Sequence, residues 1–217
     1  LFSVGQSAAV SAEVTHALGR HSSDLTFQQL QIFQKAEYAG HITYIANMGL
    51  SRISMCLFIP RILPGTGARF AALTFAVFSA LWAVSGVLVT IFPCSFPHPW
   101  EFVGIMNRCI DLNSFINYIG ITNIVQEFAL ILLPLLVWNL RLSWGRTVSV
   151  SLVFLSRLSV VTPLFTHLIL SNRSTSPPDP TYTIWSSTLT LQLAQNLSII
   201  TACLPCLHPF LLSLLSD

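Results

Sequence analysis

The chain has 217 residues, 53% of them hydrophobic and only 8% charged, against about 25% charged residues in an average soluble domain, which argues against a water-soluble globule. The net charge of +2 is dispersed, with no run of Lys or Arg to track a phosphate backbone, so nucleic acid is set aside as a partner. Five cysteines at 56, 94, 109, 203 and 206 show no His/Cys cluster at zinc spacing, which sets aside a structural metal.

In chain order, the opening stretch to Leu18 has neither an initiator Met nor a basic leader and does not read as a signal peptide. It reads as a helix entered partway, a partial span over residues 1–18. Residues 19–37 are polar enough for a loop, with room for a short amphipathic helix at the interface. Then come apolar stretches 38–59, 70–92, 118–140, 147–170 and 187–214, each long enough to cross a hydrocarbon core about 30 Å thick. The predicted fold is an all-α, polytopic transmembrane helical bundle in one membrane domain, with six spans visible and the first of them short.

Loops 60–69 and 141–146 carry Arg61, Arg69, Arg141 and Arg146 in few residues, a density expected on the cytoplasmic side. That places 19–37, 93–117 and 171–186 outside. Cys94 and Cys109 end one of these outer loops, where an oxidising environment would join them in a disulfide worth roughly 3 kcal/mol in chain entropy; the alternative is two free thiols. Asn172-Arg173-Ser174 is a glycosylation sequon near the bilayer in another outer loop, whereas Asn196-Leu197-Ser198 matches the pattern mid-span, out of reach of modification.

Within the span 118–140, Gly120, Asn123 and Glu127 fall on one helical face. An ionised carboxylate in hydrocarbon is costly, so Glu127 must face protein or water and demands neighbouring helices. Span 38–59 carries His41, Tyr44, Asn47, Ser51 and Arg52 close to one stripe, and the last span adds Gln192, Gln195 and Asn196. Hydrogen bonding between helices accounts for these groups most simply. A polar ligand pocket lined by His41, Tyr44, Asn47, Asn123, Glu127, Gln192 and Asn196 is the sharper account. Arg157 lies mid-way along the span 147–170 at a depth where an antiparallel neighbour would pair it with Glu127.

Pro205 and Pro209 predict a kink in the last span. Cys203-Leu-Pro-Cys206 has redox spacing but sits in an apolar span and reads as packing. No catalytic signature is present: no H-E-x-x-H, no G-x-S-x-G and no phosphate-binding glycine loop. No catalytic or metal-ligating residue is assigned, and an enzyme is not expected.

A set of short elements carries a family likeness: Gly19-Arg20-His21, the loop start at Cys94, Cys109-Ile-Asp111-Leu, Gly120-Ile-x-Asn123-Ile, Glu127 followed by Leu133-Pro134 and Trp138, Asp179-Pro180-Thr181, and Ser198 through Pro205. In their order these resemble the fungal rhodopsin-domain integral membrane proteins, which include receptor-like proteins of plant pathogens and the satratoxin-cluster membrane protein type. The resemblance implies a seven-helix plasma-membrane protein with its N-terminus outside, loosely comparable to G-protein-coupled receptors. Against that pattern the chain reads as lacking the first span and a cytoplasmic tail, and as carrying a charge at Arg157.

Retinal binds opsins through a lysine Schiff base in the last helix, but the sole lysine here is Lys35, in a predicted outer loop. No cofactor is expected. The leading expectation is a receptor-like or sensory protein whose partners are the lipid bilayer and a small molecule or surface cue; the sequence names no cytoplasmic partner. The alternatives are a transporter or membrane-embedded enzyme of a secondary-metabolite pathway, and a truncated non-signalling member. The absence of a convincing internal repeat leans away from transport.

Overall fold

A computed structural model describes residues 2–19, 25–62, 65–93, 110–136, 154–173 and 180–215. They form α1 (Phe2–His16), α2 (Phe27–Ile62), α3 (Thr66–Ile91), α4 (Leu112–Leu136), α5 (Leu158–Arg173) and α6 (Pro180–Leu215), with no strand among the described residues. The all-α bundle expected from composition is what forms. Among the described residues three stretches are long and apolar enough to cross a membrane, Phe27–Pro60, Thr66–Ile91 and Asn113–Leu133, and Leu158–Asn172 is a shorter apolar helix.

The loop expected over 19–37 is corrected: α2 starts at Phe27 and runs unbroken to Ile62. A capping box starts it. The Thr26 N–H donates to Gln29 Oε1 at 2.9 Å while the Gln29 N–H donates to Thr26 Oγ1 at 3.4 Å, so each side chain satisfies an orphan donor of the first turn. Phe33 and Ala36 in this added segment are buried, and packing therefore repays its polarity. Lys35 consequently lies on a helix, with its side chain exposed.

Across α3, with Trp82 as the exception, small residues point inward and large ones outward. Ala68, Ala72, Ala76, Ser79 and Gly86 are buried, while Phe70, Leu73, Phe78, Leu81 and Leu88 are exposed. That inverts a water-soluble helix and suits a lipid-facing one, where close backbone approach replaces the hydrophobic effect between helices. Gly49 of α2 shows how close the approach is: a Cβ placed there would stand 2.5 Å from the Ala83 Cβ.

Helix α2 packs on α1, α3 and α6; α4 packs on α3 and α5; α5 packs on α6, which also touches α1. The Tyr38 hydroxyl donates to the Ile91 carbonyl at 2.8 Å and Trp82 Nε1 donates to Thr122 Oγ1 at 2.9 Å, fixing α2 against α3 and α3 against α4 as antiparallel neighbours. Asn117 bonds Asn172 at 2.9 Å and His167 bonds Ser187 at 2.8 Å, doing the same for α4 with α5 and α5 with α6. Thus α2, α4 and α6 run one way and α1, α3 and α5 the other. At the amino end of α4, Asp111 Oδ2 accepts from the Ser114 hydroxyl at 2.6 Å, a bond that holds the Asp111 carboxyl below its ordinary range.

Two further expectations change. Arg157 is not mid-helix: it closes a tight turn, its N–H donating to the Phe154 carbonyl at 3.1 Å, and α5 proper begins at Leu158. Asn172 is not in a loop but in the last turn of α5, its amide donating to the Leu168 carbonyl at 3.0 Å. Residues 147–153, Cys94 and Cys109 lie outside the described residues, as do the side chains of Pro205 and Pro209, over which α6 is assigned without interruption. Cys203 is a free, exposed thiol.

The Gly49 contact makes a prediction. Gly49→Leu is expected to lower the thermal stability of the detergent-purified protein by about 1–3 kcal/mol through overpacking against Ala83, whereas Gly67→Leu, where a Cβ meets nothing within 4 Å, leaves it near wild type. Equal melting shifts for the two variants would show that α2 and α3 do not pack as closely as described.

Candidate functional site

Four helices meet at a buried cluster of charge. Arg52 of α2 and Glu127 of α4 are both 0% exposed, and Arg52 Nε donates to Glu127 Oε1 at 2.9 Å. The other carboxylate oxygen, Oε2, accepts from Nη1 of the equally buried Arg157 at 3.3 Å. One carboxylate is therefore shared by two guanidinium groups. The Arg157–Glu127 pair expected from depth is present in this geometry, and Arg52 is the partner that depth alone did not single out.

Each arginine is held differently. Arg52 Nη1 donates to Gln126 Oε1 at 3.2 Å, and Nη2 donates to the Asn123 carbonyl at 3.2 Å and to Asn123 Oδ1. The indole of Trp82 lies with its ring centroid 5.0 Å from the guanidinium carbon, a cation–π contact on the remaining face. Asn123 Nδ2 in turn donates to the Tyr44 hydroxyl at 2.6 Å. Among the described residues Arg157 has two neutral hydroxyls as partners beyond Glu127: Nη1 donates to Ser198 Oγ of α6 at 3.1 Å and Nη2 to Ser51 Oγ of α2 at 3.0 Å. Ser51 closes the circuit by donating to the Ser198 carbonyl at 3.0 Å.

The candidate pocket residues thus separate. Tyr44, Asn123 and Glu127 belong to this network. Asn47 is buried one turn before Ser51, with its Nδ2 lacking a protein partner among the described residues. Gln192 Nε2 donates to Ser7 Oγ of α1 at 2.9 Å, and Asn196 is exposed on the outer face of α6. His41 joins a second cluster towards the far end of α2. Its Nε2 lies 3.1 Å from Glu37 Oε1, and the carboxyl of Glu13 on α1 is buried with its Oε2 lacking a hydrogen-bond partner among the described residues. No group of three or more His, Cys, Asp or Glu suited to a metal occurs among the described residues.

Sequence reasoning missed Arg52 as the closer partner, and also Gln126, Trp82 and the buried Glu13. A usable signal existed for Arg52. It shares the stripe of Tyr44 and Ser51, and a second mid-span arginine raises the question of which acid serves it.

The family model of the fungal rhodopsin domain matches residues 1–213. The chain belongs to the fungal rhodopsin domain family. A SAT4 family membrane protein of Emericella nidulans is 24% identical over 201 residues, covering 90% of this chain and 50% of that protein. The chain therefore spans about half the length of this curated relative. No solved structure matches it. For a fungal rhodopsin domain protein the apolar outer faces of α3 and α4 are lipid-facing surfaces, and the charged cluster lies within the membrane-embedded bundle.

Breaking one partner of a buried ion pair strands the others, a loss of about 3–5 kcal/mol. Glu127→Gln, which leaves two arginines without a counter-charge, is expected to lower stability by about that much. The triple variant R52M/E127L/R157M is expected to recover most of the loss, because it removes charge and desolvation cost together. Chemical-denaturant titration in mixed micelles compares the two. A triple variant no more stable than Glu127→Gln would mean that the cluster does not behave as one electrostatic unit.

Proposed function

We propose that this fungal rhodopsin domain protein is a receptor-like sensor of the plasma membrane, responding to a small molecule or surface cue from outside. The observation that carries the reading is Glu127 shared between Arg52 and Arg157. Helix association does not require buried charge, since Gly49 against Ala83 shows that small residues bring α2 and α3 into close packing. Buried charge is expensive as glue but suited to a switch, because a carboxylate between two arginines has two discrete ways to pair.

Among the described residues, helix α6 is hydrogen-bonded to this switch through Ser198, so a displacement of α6 relative to α2 breaks the Ser51 and Arg157 contacts together. An external ligand engaging the ends of α2 and α6 near His41 and Gln192 would bias that arrangement through differential contacts in the two states. The Cys94–Cys109 disulfide belongs to the same proposal as a brace for the outer loop. It is supported by the 2.8 Å bond from the Ile110 N–H to the Pro93 carbonyl, which joins the residues next to the two cysteines.

Deletion of the gene in the organism that encodes it, followed by transcript profiling against external metabolites, tests the reading. A stimulus response lost on deletion and restored by the wild-type gene is expected. Tyr44→Phe, which keeps the ring and removes the hydroxyl that Asn123 engages, is expected to shift the dose dependence about tenfold at unchanged surface abundance, as loss of roughly 1–1.5 kcal/mol of one hydrogen bond would. An unchanged transcriptome together with altered accumulation of a labelled metabolite would replace the sensor with the transporter.

Retinal is not the ligand proposed. Lys35, the one lysine, is exposed on the early turns of α2, away from the charged cluster on the same helix. Incubation with all-trans-retinal and borohydride is expected to leave no stoichiometric reduced adduct. A single adduct abolished by Lys35→Arg would oppose this.

A further inference from the structure

Among the described residues the charges at the centre do not balance. Arg52 and Arg157 contribute two positive charges and Glu127 one negative, all with 0% exposed side chains. Arginine does not shed its proton in proteins. An uncompensated cation in a low-dielectric bundle costs several kcal/mol. Among the described residues no second carboxylate reaches the cluster: Glu37 lies 15 positions before Arg52 on α2, roughly 22 Å along a helix.

The surplus resides on Arg157. Arg52 has the shorter bond to Glu127, the amide and carbonyl oxygens of Gln126 and Asn123, and the Trp82 ring. Arg157 has the longer bond and two hydroxyls, and its Nε has no protein partner among the described residues. Asn47 and Gln195 sit one turn from Ser51 and Ser198, the two residues bonded to each other beside Arg157. Asn47 Nδ2 and both amide atoms of the fully buried Gln195 likewise lack a protein partner. Either orientation of the Gln195 amide therefore presents an N–H.

We infer that the buried, unpartnered N–H groups of Arg157, Asn47 and Gln195 bind a monovalent anion, which accepts N–H bonds from Arg157 Nε, Asn47 and Gln195 and neutralises the cluster. A single negative charge balances the count, whereas a divalent anion overcompensates it and is dehydrated at greater cost. The shared chemistry is that of chloride or of the carboxylate of a small organic molecule. The inference rests on charge balance and is independent of whether the protein signals.

The test is thermal unfolding of the full chain in neutral detergent as isethionate, a bulky sulfonate, is exchanged for chloride or acetate at constant ionic strength. A saturable rise of roughly 5–10 °C at a hundredfold excess over half-saturation is expected with at least one of the two. Chloride alone identifies an inorganic ion; acetate, alone or as well, identifies a carboxylate ligand. Gln195→Glu supplies a fixed carboxylate, and is expected to melt in isethionate near the saturated wild type and to respond to neither salt. Arg157→Met is expected to lose the response. A wild type that is flat in both salts, or a Gln195→Glu protein that keeps the full dependence, overturns the inference.

Discussion

One carboxylate in the middle of the bundle constrains most of this molecule. Glu127 is tolerable in an apolar interior because Arg52 and Arg157 reach it, the first from α2 at a distance and the second from the turn that leads into α5. Helix α5 packs directly on α4, whereas Arg52 has to extend its whole side chain from α2. That difference in reach explains why the α4 face carries Asn123 and Gln126 beside Glu127. The guanidinium arriving from α2 is fixed at its tip, and each N–H along the way needs an acceptor. The Tyr44 hydroxyl then serves Asn123, so the acidic site organises polar groups over about two turns of α2.

The bundle uses two different means of joining helices, and their placement is informative. At the α2–α3 seam, alanines and glycines bring backbones close and the contribution comes from packing density. At the α2–α6 seam, contact runs through Ser51 and Ser198, whose hydroxyls are also acceptors for Arg157. The first seam depends on shape and resists change. The second depends on directional bonds that a small shift of α6 would exchange for others, which makes α6 the element whose position the charge cluster can sense.

Much of the fold was legible in the sequence because lipid imposes a strong pattern. The composition, the length of the apolar stretches and the isolation of Glu127 pointed to an all-α bundle, and the described helices cover most of the stretches expected to be helical. The misreadings came from local chemistry overriding hydropathy. Residues 27–37 are too polar to register as span, yet Thr26 and Gln29 form a capping box that starts a helix there, and the T-x-x-Q pattern was visible. Arg157 looked mid-helix because apolar residues surround it, while the turn after Phe154 sets it at a helix entry, a backbone feature with no marker in hydropathy. Asn172 looked like a loop residue because it precedes Ser174, but helix α5 continues through it.

The candidate site was legible as a set of residues rather than as a set of bonds. Periodicity placed Tyr44 and Asn123 on inward faces, yet it put Asn196 in the same class, and the rotation of α6 turns that residue outward while Gln195 and Ser198 turn in. A single helical position is about 100° of rotation, so a stripe judged from polar residues alone can be off by one neighbour. Pairing is harder still, because it depends on side-chain reach as well as depth. Glu127 was matched to the arginine on the adjacent antiparallel helix, and the second arginine was left in a stripe without an acid assigned to it. Counting charge per bundle, instead of seeking one partner per charge, would have shown the excess before any geometry was known. In hydrocarbon such an excess has to be answered by something other than water.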